Sequence, residues 1–89
     1  MKISLKKREK IAEQILAYLF SQNPKSIFTA HIAQEIARDE EFVKTILLDM
    51  KKKNFLVEVK KNKQGVDYIR RARWKLSEKT YIFYKNSQF

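Results

Sequence analysis

Ten of the twenty lysines and arginines of this 89-residue chain fall between Lys51 and Lys75, where only Glu58 and Asp67 oppose them. That stretch therefore carries +8 of the formal net charge of +10. A field of one sign concentrated on one segment attracts polyanions, and nucleic acid is the commonest such partner. Other chemistry-bearing residues are sparse. Asp39, Glu40 and Glu41 form a carboxylate cluster, but acid–base work needs burial and opposed environments, which a solvated helix start does not supply. His31 is the single histidine and there is no cysteine, so thiolate sites and disulfides are excluded and His31 lacks the companions of a ligand set. Nucleophile signatures and phosphate-cradling glycine loops are absent, the one glycine, Gly65, standing in a turn. The expectation is no enzyme, no metal, no cofactor and no small-molecule ligand.

These side chains must be positioned by one small domain, since a chain of this length buries only a modest core. The stretch from Asp39 to Asn54 organises it. At 100° per residue Phe42, Val43, Ile46, Leu47 and Met50 share one stripe, while Glu41, Lys44, Thr45, Leu48, Lys51 and Lys52 point the other way. Asp39 is a natural N-cap, Glu40 and Glu41 suit the positive end of the helix dipole, and Lys51, Lys52 and Lys53 suit the negative end. Asn54 supplies a left-handed stop.

Upstream, Leu5, Ile11, Ala12, Ile15, Leu16 and Leu19 place a helix over about residues 6–21, closed by Pro24. Ser26 to Phe28 is extended, and Thr29 is expected to cap a short helix over 30–37. Downstream of Asn54 the period changes to alternation. Phe55, Val57 and Val59 fall on one side of a strand and Leu56, Glu58 and Lys60 on the other. Asn62 to Gly65 turn, and Val66 to about Leu76 return with Trp74 and Leu76 on one face. The glutamate at position 13 interrupts the only apolar run near the N-terminus, so neither a signal peptide nor a membrane span is expected and the predicted location is the cytoplasm.

The order helix, short strand, helix, tight turn, helix, hairpin is carried by FTAHIAQEIARDEEFVKTILLDMKKKNFLV running straight into the basic hairpin, with Leu76, Ser77, Glu78 and Lys79 closing it. This pattern resembles the winged helix-turn-helix family of transcription regulators over nearly the whole chain. The resemblance implies an α+β fold in a single domain, residues 1–89. Its parts are helix one about 6–21, helix two 30–37, recognition helix 40–53, wing 55–76 and C-terminal segment 78–89. Two departures stand out. Ala37 occupies the turn position usually held by glycine, implying about 1 kcal/mol of backbone strain, and Glu40 and Glu41 stand where the family commonly places Ser, Thr or Arg.

Double-stranded DNA is the partner the resemblance implies. The recognition helix would enter the major groove with Lys44, Thr45, Glu41 and Leu48 toward base edges. Lys44 can donate to guanine O6 or N7, Thr45 can meet an edge group or a thymine methyl, Glu41 can accept from cytosine N4, and Leu48 offers apolar contact only. Lys51, Lys52 and the wing residues Lys61, Lys63, Arg70, Arg71 and Arg73 would contact the phosphate backbone. Thr29 and the first amides of helix two, with His31 beside them, can hold a phosphate as well. Neutralising about six phosphates predicts a log–log salt slope of about −5. Ser77 is expected to cap a last helix holding Tyr81, Ile82, Phe83 and Tyr84, four residues that cover every side of it. They serve either a homodimer interface, which would set half-sites about 34 Å apart, or the small core through packing on helix one. A protein-interaction module facing partners with Leu48 and the acidic helix start, or an RNA- or ribosome-associated protein, are the alternative readings.

Overall fold

A computed structural model describes residues 5–59 and 72–87. The elements are α1 (Leu5–Gln22), β1 (Ile27–Phe28), α2 (Thr29–Glu35), α3 (Glu40–Lys52), β2 (Leu56–Val59), β3 (Arg73–Leu76) and α4 (Glu78–Ser87). This is an α+β architecture. The hairpin turn expected at 62–65 lies outside the described residues, as do Lys61, Lys63, Arg70 and Arg71.

Along α1 the residues Ile11, Ile15 and Leu19, spaced by four, are fully buried, with Ala12 and Leu16 packed beside them. Past its end the amides of Asn23 and Lys25 donate to the carbonyls of Phe20 and Gln22, turning the chain toward β1. Helix α2 is short and starts one residue earlier than expected. Phe28, in extended conformation, is its N-cap and makes no side-chain capping bond. Thr29 is thus the first helical residue and not the cap. Its amide donates to Ala72 O at 3.4 Å and its hydroxyl is turned inward.

Both helices of the central pair end in the same way. Ala37 and Asn54 have φ of 56° and 66°. After α2 the amides of Ala37 and Arg38 donate to Gln34 O and Ala33 O; after α3 those of Asn54 and Phe55 donate to Lys51 O and Met50 O. Each set is a Schellman closure, which satisfies terminal carbonyls by placing one residue in the left-handed region. Asn tolerates that region better than Ala does. The strain inferred at Ala37 is therefore real, and helix two stops at Glu35 because this closure consumes residues 36–38.

Asp39 caps α3: its carboxylate accepts from the Phe42 amide at 3.0 Å and its carbonyl from Val43 at 2.9 Å. Val43, Ile46, Leu47 and Met50 are buried and Phe42 packs at their edge. The strands form one antiparallel sheet in the order β1-β3-β2, with Ile27 opposite Trp74, Leu56 opposite Leu76 and Glu58 opposite Trp74. Ile27, Trp74, Leu56 and Leu76 line the buried face and complete a core with α1, α2 and α3. Trp74, at 0% exposure, sits within it and donates its indole N–H to the Thr29 hydroxyl at 2.8 Å.

On β2 the more apolar face is the outward one. Phe55 and Val57 are exposed, whereas Leu56 alone enters the core. Register decides this, because a strand has two faces and only the Leu56 side meets Trp74 and Leu76. Glu58 shares that side and is accommodated by Lys51, whose Nζ lies 2.8 Å from Glu58 Oε1.

Candidate nucleic-acid interface

The outer face of α3 is displayed by the burial of its other face. Glu41, Lys44, Thr45, Leu48 and Lys52 are all exposed. The Thr45 hydroxyl donates to Phe42 O at 2.6 Å, so its proton is held by its own helix; its lone pairs and methyl group remain for a ligand. Leu48 is 45% exposed, a large apolar group between the polar ends of this face. Lys44, Glu40 and Glu41 line a groove with Phe28, His31 and Ala72, which joins the start of α3 to the start of α2.

Three residues expected on phosphate make contacts within the chain. Thr29 is buried and its hydroxyl serves the Trp74 indole, so its side chain has no path to a backbone phosphate. Lys51 is spaced by seven residues from Glu58 and bridges α3 to β2, its charge matched by a carboxylate more deeply buried than itself. Arg73 lies half-buried on the outer face of β3, directly opposite Phe28 in register, with its guanidinium carbon 5.6 Å from the centre of the Phe28 ring. Such stacking uses the face of the guanidinium. His31 is exposed and meets the Phe28 ring edge-on at 6.0 Å between centres, beside Glu40 and Glu41 and not in a wholly cationic setting. Lys52 is exposed at the end of α3. Lys53 pairs with Asp49 at 3.1 Å.

The aromatic segment of α4 divides in two. Ser77 caps the helix, accepting from the Thr80 amide at 3.2 Å. Tyr81 and Tyr84 point at α1, with ring centres 5.5 and 5.7 Å from that of Phe20. Burial, and next to it the carboxylate of Glu13, raises the Tyr84 phenol above its ordinary value. These two tyrosines pack on α1, one of the two places expected for them. Ile82 and Phe83 fall on the other side and are exposed, Phe83 at 67%. A helix cannot turn four consecutive side chains to one neighbour.

Sequence reasoning overlooked the Lys51–Glu58 and Thr29–Trp74 pairs. A buried tryptophan requires an acceptor for its N–H, which is a signal that an acceptor exists but not which residue supplies it. Among the described residues no three His, Asp or Glu side chains form a metal-holding group, and no helix is long and apolar enough to cross a membrane.

No protein-family model and no curated protein matches the chain. Solved structures do. A MepR variant from a multidrug-resistant S. aureus clinical isolate is 17% identical, with a TM-score of 0.69 over 90% of this chain and 56% of that one. A Lactococcus lactis ZitR variant in apo form is 17% identical, with a TM-score of 0.63 over 93% of this chain and 60% of that one. A second S. aureus MepR variant, bound to an oligodeoxyribonucleotide, is 16% identical with a TM-score of 0.60, over 92% of this chain and 67% of that one. The chain thus spans about half to two-thirds of the length of these structures. The likeness is one of fold: four helices and a three-stranded antiparallel sheet, as in the winged helix-turn-helix.

Proposed function

We propose that this winged-helix chain binds double-stranded DNA and acts as a transcription regulator, with α3 in the major groove. The observation that carries the reading is α3 itself. It is capped at Asp39, anchored by four buried residues and clad outward in Lys44, Thr45, Leu48 and Lys52. The basic stretch from Lys51 to Lys75 follows directly. The MepR structure that holds an oligodeoxyribonucleotide shares this fold, which supports the same partner here. An α-helix fits the major groove, and the side chains of its N-terminal half lie nearest the base edges. Lys44 donates there, Thr45 accepts or offers its methyl, and Glu41 selects against phosphate and for cytosine N4. Lys52 and the basic residues of the wing hold the backbone.

Selection and sequencing from a random duplex pool at two salt concentrations tests the reading. An enriched motif is expected, and binding without enrichment would remove sequence reading. Replacing Lys44 and Thr45 by Ala should weaken the selected site by roughly 1–3 kcal/mol more than it weakens random DNA; equal losses on both would refute base contact by this pair.

A second copy of the chain is proposed to cover Ile82 and Phe83, which no described residue buries. Phe83→Ser should shift the sedimentation of a dimer toward monomer. A competing reading as a protein-interaction module is favoured by one observation, the exposure of Leu48 beside the acidic start of α3. A stable protein partner together with no duplex binding would select it.

A further inference from the structure

The described cations are not confined to α3 and the hairpin. A concavity between the first half of α1 and the turn joining α2 to α3 is lined by Lys6, Lys7, Lys10 and Arg38, with Glu13 the single carboxylate among its lining residues. Lys6 and Lys10 stand one helical turn apart on α1, a spacing of about 5–6 Å at the helix surface. Arg38 is brought to them by the Schellman closure of α2, where its amide is held by Ala33 O at 2.9 Å and its side chain is exposed. Lys6, Lys10 and Arg38 are all exposed and enter no ion pair among the described residues.

Position relative to α3 gives this cluster a use. Arg38 directly precedes Asp39, the N-cap of α3, and the first turn of α3 holds Glu40 and Glu41. A phosphate strand passing that end of the helix meets three carboxylates, an arrangement that would repel it unless cations stand nearby. Arg38 joins the α1 concavity to that end of the helix.

We infer that Lys6, Lys10 and Arg38, with Lys7 beside them, form a second phosphate-binding surface, which takes the sugar-phosphate backbone of the duplex that α3 enters. The inference rests on the DNA-binding reading. It adds a contact from α1 beside the first turn of α3. The acidic first turn can then approach base edges without expelling the strand next to it.

The test compares salt dependence of duplex binding for the full chain, for the triple variant Lys6→Ala, Lys10→Ala and Arg38→Ala, and for a control triple of exposed lysines elsewhere, Lys25→Ala, Lys79→Ala and Lys85→Ala. Losing about three phosphate contacts should make the log–log slope shallower by about 2.7, so the ratio of parent to variant affinity should shrink about 40-fold between roughly 50 and 200 mM salt. The control triple removes the same formal charge and should shift the slope by less than about one. Lys6→Arg, Lys10→Arg and Arg38→Lys together should keep the parent slope. If the Ala triple fails to fold, Arg38→Ala alone should change the slope by about 0.9. A parent slope in the Ala variants, or an equal loss in the control triple, overturns the inference and leaves the DNA-binding reading intact. A parent chain that binds no duplex at any salt overturns both.

Discussion

Replacing Thr29 by Val probes the centre of the structure with a change of one atom group. Trp74 is fully buried, and its indole N–H, which can only donate, has the Thr29 hydroxyl as its partner at 2.8 Å. Valine keeps the branched shape but offers no acceptor. A buried donor deprived of its partner costs about 1–3 kcal/mol, while the added methyl contributes up to about 0.8 kcal/mol of favourable transfer. The expected net loss is therefore about 1–2 kcal/mol. In a domain of this size such a loss lowers Tm by roughly 4–16 °C. Urea unfolding followed by far-ultraviolet circular dichroism measures it without relying on the tryptophan. Thr29→Ser retains the oxygen and should lose less than Thr29→Val. Placing Trp74→Phe beside Thr29→Val should recover most of the hydrogen-bond part of the loss in a double-mutant cycle, because the stranded donor is gone. A Thr29→Val chain within about 0.5 kcal/mol of the parent would refute the reasoning, since the contact would then carry no weight at this site.

Three further outcomes are expected. Ala37→Gly relieves a left-handed alanine at φ 56° and should raise stability by roughly 1 kcal/mol, less the entropy that glycine adds to the unfolded chain; a lower Tm would contradict strain at that turn. Tyr84, raised above its ordinary 10.0 by burial first and Glu13 second, should make the fold lose stability as pH rises from the unfolded phenol value toward the higher folded one. Its contribution is intact below the lower of the two. Tyr84→Phe should remove that part of the alkaline decline in pH-dependent melting. For duplex binding, Lys52→Ala should make the salt slope shallower by about 0.9, and Lys51→Ala by less, because Lys51 is paired with Glu58; the reverse order in a salt titration would show that the pair opens on DNA.

Much of this molecule was legible locally. The cap at Asp39, the left-handed residue at Asn54 and the change from a 3.6 to a 2 period each depend on groups within a few residues of one another. The buried stripe of α3 followed from the same periodicity, and so, by difference, did the outward face with Lys44, Thr45 and Leu48. The α+β order of elements, and its resemblance to a winged helix, rest on those local signals. Charge was legible too, since the excess between Lys51 and Lys75 is a property of composition.

Only tertiary structure decided what each charge and ring was committed to. Thr29 reads as an N-cap until Trp74, 45 residues away, takes its hydroxyl. Lys51 reads as a solvated cation until β2 carries Glu58 beneath it. The alternation of β2 was visible, yet the side that faces the core depended on its pairing with β3, which leaves Val57 outside despite its being as apolar as Leu56. Tyr81 and Tyr84 were separated from Ile82 and Phe83 by the direction from which Phe20 approaches. Local hydrogen bonds are encoded by neighbouring residue types, whereas the pairing of distant groups depends on how whole elements are packed, and that packing is what draws Arg38 alongside Lys6 and Lys10.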